Sequence, residues 1–407
     1  MTNTLFKPNK TLNSLIDQAN RALTDGNVAL AAHYWQQGWL EQTENFSDNE
    51  ALIASFVPIA LQILARGDFQ IRWDMAKLFP SLGDRVVKPL ISVLEGETQD
   101  LEHCEFAAQI LGNFDQPAVI IALVNVLQTR TDEALQAMAI SALGRIGPSA
   151  IEVLSQRLGD PPTRLLAIQA LAQIRRTEVI EPLLSVVSDA DPKIRSKAIE
   201  ALGNFSDPRI LPILKSSLQD LAASVRKEAL IALSFRLDEG DSVDLLRLLQ
   251  PRLYDLNLEV CQQAAIVLSK IPNDQSAKAL FEVLKTPHTP LLLQLALIQC
   301  LAWQKNPTSL SYLQQALNYL NLEGVLEIIR VLGRRNHDKI EAAQILADFF
   351  MTNHPLIQEV TIRQALAYSL GQLQVNKTQE ILETLSQDTE TIVRLHAIAA
   401  LRYFSDH

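Results

Sequence analysis

Apolar residues along this chain fall at three- and four-residue spacing, and that helical pattern returns about every 32 residues. The stretch Asp191-Pro192-Lys193-Ile194-Arg195-Ser196-Lys197-Ala198-Ile199-Glu200-Ala201-Leu202-Gly203 is one copy. Its Ile194, Ala198, Ala201 and Leu202 share one helical face, and its last position is small. That position recurs at Pro80, Gly112, Gly144, Ala172, Gly203, Ser234, Ser269, Ala302, Gly333, Gly371 and Arg402, in steps of 28 to 38 residues. Pro80 and Arg402 depart from the small type in the first and last copies, where atypical repeats are expected.

Other columns keep the same phase. Twelve positions earlier stand Asp68, Asp100, Asp132, Asp160 and Asp191, then Ala222, Asn257, Pro290, Asn321, Glu359 and Glu390. Asp there predicts a helix start, because its carboxylate accepts from the unpaired amides of the first turn. Pro161 and Pro192 follow at the first helical position, where a missing N–H costs nothing. Eight positions before the small residue, Arg72, Arg164, Arg195, Arg226, Arg363 and Arg394 share a column with Cys104, Gln136, Cys261, Gln294 and Val325. A short turn, as from Asn204 to Pro208, leads to a second apolar helix carrying Ile210, Leu211, Ile213, Leu214 and Leu218. Such a pair cannot bury both faces alone but can when stacked, so the expected fold is all-α, an α-solenoid of about eleven helix pairs.

The tandem motif D-P-x-[IV]-R-x-x-A-x-x-A-L-G, running over residues 68–404, resembles the short HEAT-like repeats of the cyanobacterial phycobilisome-lyase (bilin lyase E/F-like) family. Ile71-Arg72-Trp73-Asp74-Met75-Ala76-Lys77 looks like the cyanobacterial branch in particular. That family includes bilin lyases that attach tetrapyrroles to phycobiliproteins, proteins that assist phycobilisome disassembly, and a HEAT-repeat protein that binds the iron–sulphur carrier IscA. The resemblance implies HEAT-like helix-pair repeats and a protein partner, either an IscA-type iron–sulphur carrier or a phycobiliprotein or other phycobilisome component. It also brings a bilin or an iron–sulphur cluster into consideration as cofactor, although the residues themselves predict none.

Residues 1–66 lie outside the phase and are expected to form an N-terminal helical cap, with residues 67–407 the repeat solenoid. Residues 12–23 and Val28–Leu40 read as amphipathic helices about the turn Asp25-Gly26-Asn27, loosely similar to a tetratricopeptide pair. Residues 51–65 read as a third helix, interrupted at Pro58. Residues 390–404 read as a first helix without a second, and Arg402, Tyr403 and His407 point to a half-wet end.

Composition narrows the function. Glycine supplies 14 of 407 residues, too few for Gly-rich phosphate loops or β-hairpins to be common. The formal charge is −10 without a basic run, so neither a nucleic-acid partner nor anionic lipid is expected. The most apolar stretches, residues 51–65 and Leu291–Trp303, are shorter than the roughly 18 residues of a membrane span. Residues 1–10 lack the order of a signal peptide, and Cys104, Cys261 and Cys300 are too few for a disulfide framework. A cytoplasmic protein is expected.

No Walker loop, G-x-S-x-G elbow or H-E-x-x-H is present. The densest reactive group is Glu102-His103-Cys104-Glu105. His103 and Cys104 are the candidate cofactor site, able in principle to hold a metal or add to an activated bilin; the bland reading is a buried imidazole and an inert thiol. Adjacent helical residues point about 100° apart, so the two groups do not automatically converge. Cys261 also takes an Arg position, five repeats on, so it cannot share an ion with Cys104, and Cys300 reads as core. The guanidinium groups of Arg72, Arg164, Arg195 and Arg226 either form a ladder with Asp or backbone groups of their own or the adjacent repeat, or receive an acidic partner or bilin propionates. Trp73 is the strongest candidate for partner binding, because its column elsewhere holds mostly solvent-compatible residues. The alternative packs it on the cap beside Trp35 or Trp39, while Trp303 reads as a plug of a local core. A non-catalytic protein-binding scaffold is the leading expectation, and a bilin lyase the rival.

Overall fold

The computed structural model describes residues 10–40, 50–96, 100–239, 242–352 and 354–405. The expectations for residues 1–9 and for His407 lie outside them. Among the described residues every regular element is helical, and the chain divides into two compact units, Met1–Phe205 and Ser206–His407.

In the first unit the repeat phase yields five first helices: Phe69–Leu78, Leu101–Leu111, Glu133–Ile146, Pro161–Gln173 and Pro192–Leu202. Second helices Val87–Glu95, Pro117–Thr129, Ile151–Arg157 and Ile180–Leu184 follow the first four. Each first helix packs on the next first helix, and each second helix packs on the first helix that follows it. The Asp column starts these helices as expected: Asp68, Asp100, Asp132 and Asp191 accept from the amides of Ile71, His103, Leu135 and Lys193. Each such cap is worth about 1 kcal/mol. Asp160 differs, its carboxylate accepting instead from the Thr163 hydroxyl at 3.2 Å.

Three helices precede the first repeat: Lys10–Thr24, Val28–Leu40 and Glu50–Arg66. Gly26, at φ 75°, ends the first in a left-handed turn that a side chain would strain, and Asn27 caps the second through the Leu30 amide. The third helix runs unbroken through Pro58, contrary to the expected interruption. Pro58 and Ala54, four residues before it, both lie on the exposed side, where water can take the carbonyl that proline leaves unpaired. Trp35 and Trp39 stack 5.3 Å apart and meet Phe56 edge-on, and the buried Trp35 Nε1–H donates to the Phe56 carbonyl at 3.0 Å.

The second unit repeats the plan. Its first helices are Ala223–Leu233, Leu258–Ser269, Leu291–Trp303, Leu322–Gly333, Val360–Leu373 and Thr391–Ser405. Its second helices are Ile210–Ser217, Ser242–Leu249, Asp274–Leu284, Pro307–Ala316, Lys339–Met351 and Gln379–Leu385. Close approach explains the small column. A Cβ on Gly333 would sit 2.5 Å from the Cβ of Ser369 on the next first helix, and one on Gly371 would sit 2.5 Å from the Cβ of Ala400. The same holds in the first unit, where a Cβ on Gly112 would lie 2.8 Å from the Ala142 Cα.

Candidate functional site

The Arg column turns inward. Arg226 donates from Nη1 to the carbonyls of Asp220 and Leu221, six and five residues back, and from Nε and Nη2 to both oxygens of Asp255 in the next repeat. Arg363 does the same with Ile357, Gln358 and Asp388, while Arg164 donates from Nε and Nη2 to the Leu158 and Gly159 carbonyls and from Nη1 to one oxygen of Asp189. Arg195 donates to the Asp189 and Ala190 carbonyls. Arg72, buried in the first repeat, reaches Leu64 and Ala65 carbonyls and the carboxylates of Asp100 and Glu102. The chain entering these helices thus has carbonyls satisfied, and at Arg72, Arg164, Arg226 and Arg363 the charge is matched by a carboxylate of the following repeat.

Those carboxylates escaped the sequence reading in part. Asp189, Asp255 and Asp388 stand two residues before the helix-capping position, where each also accepts from the amide of the capping residue itself. Their signal is Asp at that spacing, and it differs from the Asp column at the cap. Where the column lacks Arg, substitutes appear. Gln136 donates to the Arg130 carbonyl at 2.6 Å and the Cys261 thiol to the Asp255 carbonyl at 3.1 Å, both six residues back. At Cys104, Arg130 supplies the guanidinium from outside the column, with Nη1 on the Gly96 carbonyl and Nη2 3.7 Å from the sulphur.

Cys104 is fully buried, and burial pushes its thiol up, against the attraction of Arg130. Burial, and then the Arg72 charge, pushes the half-buried His103 imidazole below its ordinary value. Among the described residues no group of three or more His, Cys, Asp and Glu side chains is placed to hold a metal ion. Cys261 and Cys300 are also buried, and burial drives the Cys300 thiol up to about 12.

Trp73 stands 42 % exposed, its ring stacked on that of Phe69 at 6.2 Å with the Lys77 ammonium 5.3 Å away. Phe69, itself exposed, tilts against Phe106. Trp303 corrects the expectation of a core plug: it ends its helix with 61 % of its surface exposed. Leu301 belongs to the buried stripe, and two further residues turn the helix by about 200°, which points Trp303 outward.

Residues 87–165 and 151–234 match the family of HEAT repeats. The fold is all-α, built of HEAT-like helix pairs. Kap121p bound to Pho4p is similar in structure, with 14% sequence identity over 96% of this chain and 53% of that one and a TM-score of 0.50. Importin beta aligns at 13% identity over 96% of this chain and 64% of that one, also with a TM-score of 0.50. The chain therefore spans about half to two thirds of these two proteins. The complex of CpcE and CpcF of phycocyanin lyase from Nostoc sp. PCC7120 aligns at 20% identity over 57% of this chain and 94% of that chain, with a TM-score of 0.30. No curated protein matches the chain in sequence. No single helix among the described residues is long and apolar enough to cross a membrane.

Proposed function

We propose that this protein is a non-catalytic scaffold that presents exposed side chains of its first helices to a protein partner. The observation that carries the reading is the Phe69–Trp73 pair, two large aromatic rings held on a rigid helix and left open to solvent. Tryptophan on a firm support is a common anchor of protein interfaces. The ladder arginines already have internal partners, so the anchor here is aromatic. Kap121p, built on the same kind of fold, is bound to Pho4p in its structure.

The repeat motif favours an IscA-type iron–sulphur carrier or a phycobilisome component as the partner, in a cytoplasmic setting. An adduct between a bilin and Cys104 would need a thiolate there, and burial of Cys104 works against one, so this thiol lends the lyase reading no support. Affinity capture from a cyanobacterial lysate tests the proposal. Recovery of an iron–sulphur carrier or phycobiliprotein by the wild-type chain, lost with Trp73→Ala, is the expected result. Recovery of neither, with a shifted protein-bound absorbance band on mixing with phycocyanobilin, overturns it in favour of the lyase.

A further inference from the structure

In the second unit, two hollows open on the exposed side of consecutive first helices. One, of about 480 Å³, lies between Leu291–Trp303 and Leu322–Gly333 and is lined by Trp303, Lys305, Val331 and Arg335 among others. The other, of about 260 Å³, lies between Leu322–Gly333 and Val360–Leu373 and is lined by Leu326, Arg330 and Tyr368 among others. Arg334 lines both.

Four observations characterise this groove. Its lining holds four fixed cations, Lys305, Arg330, Arg334 and Arg335, and a single carboxylate, Glu327, on a chain whose net charge is −10. Unlike those of the ladder arginines, the exposed side chains of Arg330, Arg334 and Lys305 make no hydrogen bond or ion pair with any described residue. Arg335 is 91 % buried, and its Nε finds no partner, although its other nitrogens reach the Ala302 carbonyl and Asp338. Beside these charges Trp303 and Tyr368 are 61 % and 53 % exposed.

We infer that this groove binds an acidic segment of another protein that carries aromatic or aliphatic side chains. Free guanidinium groups match carboxylates in a two-toothed geometry. The hollows beside Trp303 and Tyr368 take the apolar side chains. A run of two hollows over three helices suits an extended or helical peptide better than one small anion. The four cations are confined to this short groove, so a long polyphosphate would run past them onto the acidic remainder of the chain, which sets nucleic acid aside in favour of a short acidic segment. The inference adds a second surface to the proposed scaffold and is argued without Trp73.

The test is fluorescence anisotropy with the full chain and a fluorescein-labelled synthetic peptide of repeated Glu, Glu, Phe triplets. Saturable binding is expected, weakened about tenfold by the double reversal Arg330→Glu and Arg334→Glu and by Trp303→Ala, the scale of a one-to-two kcal/mol anchor. A matched Lys, Lys, Phe peptide should not bind, and Trp73→Ala should leave binding unchanged. All the substituted residues are exposed, and circular dichroism checks that each variant keeps its helix content. Absence of saturable binding, equal affinity in the charge-reversed protein, or displacement by a single-stranded oligonucleotide at lower concentration than by unlabelled peptide would overturn the inference. If the peptide fails while Trp73-dependent capture persists, the scaffold stands and only the groove falls.

Discussion

Arg226 holds Asp255 of the following repeat through two parallel hydrogen bonds, Nε to Oδ2 at 2.7 Å and Nη2 to Oδ1 at 2.6 Å, with both side chains largely buried. Asp255 also accepts from the Asn257 amide, so one carboxylate both neutralises the neighbouring repeat and fixes the start of its own helix. Asp255→Ala should therefore destabilise by about 3 kcal/mol, since it leaves a buried guanidinium without its counter-charge. The exposed pair Lys227–Glu259 is the control, and Glu259→Ala should leave the urea midpoint in place. Equal effects of the two substitutions would refute the ladder as a source of stability.

Acid should weaken the stack. The hydrogen bond from Arg72 holds Asp100 below its ordinary value of 3.8. Burial alone would raise Asp255 and Asp388, but their pairs with Arg226 and Arg363 outweigh it and hold both low as well. Groups with depressed values contribute stability that is complete above the unfolded value and is lost as pH falls through the folded one. His103, whose depressed imidazole resists protonation, adds a shallower loss from about pH 6.5 downward. The contribution of the three carboxylates should be complete from neutrality to about pH 5 and be lost steeply below about 4. Asp388→Asn should flatten that decline, and an unchanged slope would contradict the assignment.

Gly333→Val tests the close approach of first helices. Its side chain would meet Ser369, and overpacking of this kind costs about 1–3 kcal/mol. Thermal unfolding should show a lower midpoint for this variant. Replacing Gly159, with only the Gln156 carbonyl near at 3.4 Å, should be far milder.

Thiol accessibility offers a separate check. Cys104, Cys261 and Cys300 are all buried, with thiols pushed up by burial. Ellman's reagent should react slowly with the native protein and with three thiols once it is unfolded. Rapid native labelling of Cys104 would reopen a nucleophilic role for it.

The first helices were legible because two local rules coincide in several repeats, an Asp or Asn that caps and a small residue that permits contact, as at Asp132 and Gly144 or Asn321 and Gly333. Pro58 misled because packing of the buried residues about it, Phe56, Val57, Ile59 and Ala60, holds the helix together while the freed Ala54 carbonyl faces water. Trp303 follows the helical phase set by buried Leu301, which turns it outward despite the usual burial of tryptophan. The groove around Arg334 could not be read at all. Arg330 and Arg334 sit in ordinary solvent-facing positions, and only the packing of three helices shows that Trp303 and Lys305 join them.

Site-specific photo-crosslinking tests the scaffold most directly. Benzoylphenylalanine in place of Trp73, irradiated in the native lysate and analysed by mass spectrometry, should join this chain to a defined protein partner. The same probe at buried Cys300 should give no such adduct. An absence of protein adducts at position 73, or equal yields at both positions, would contradict the account.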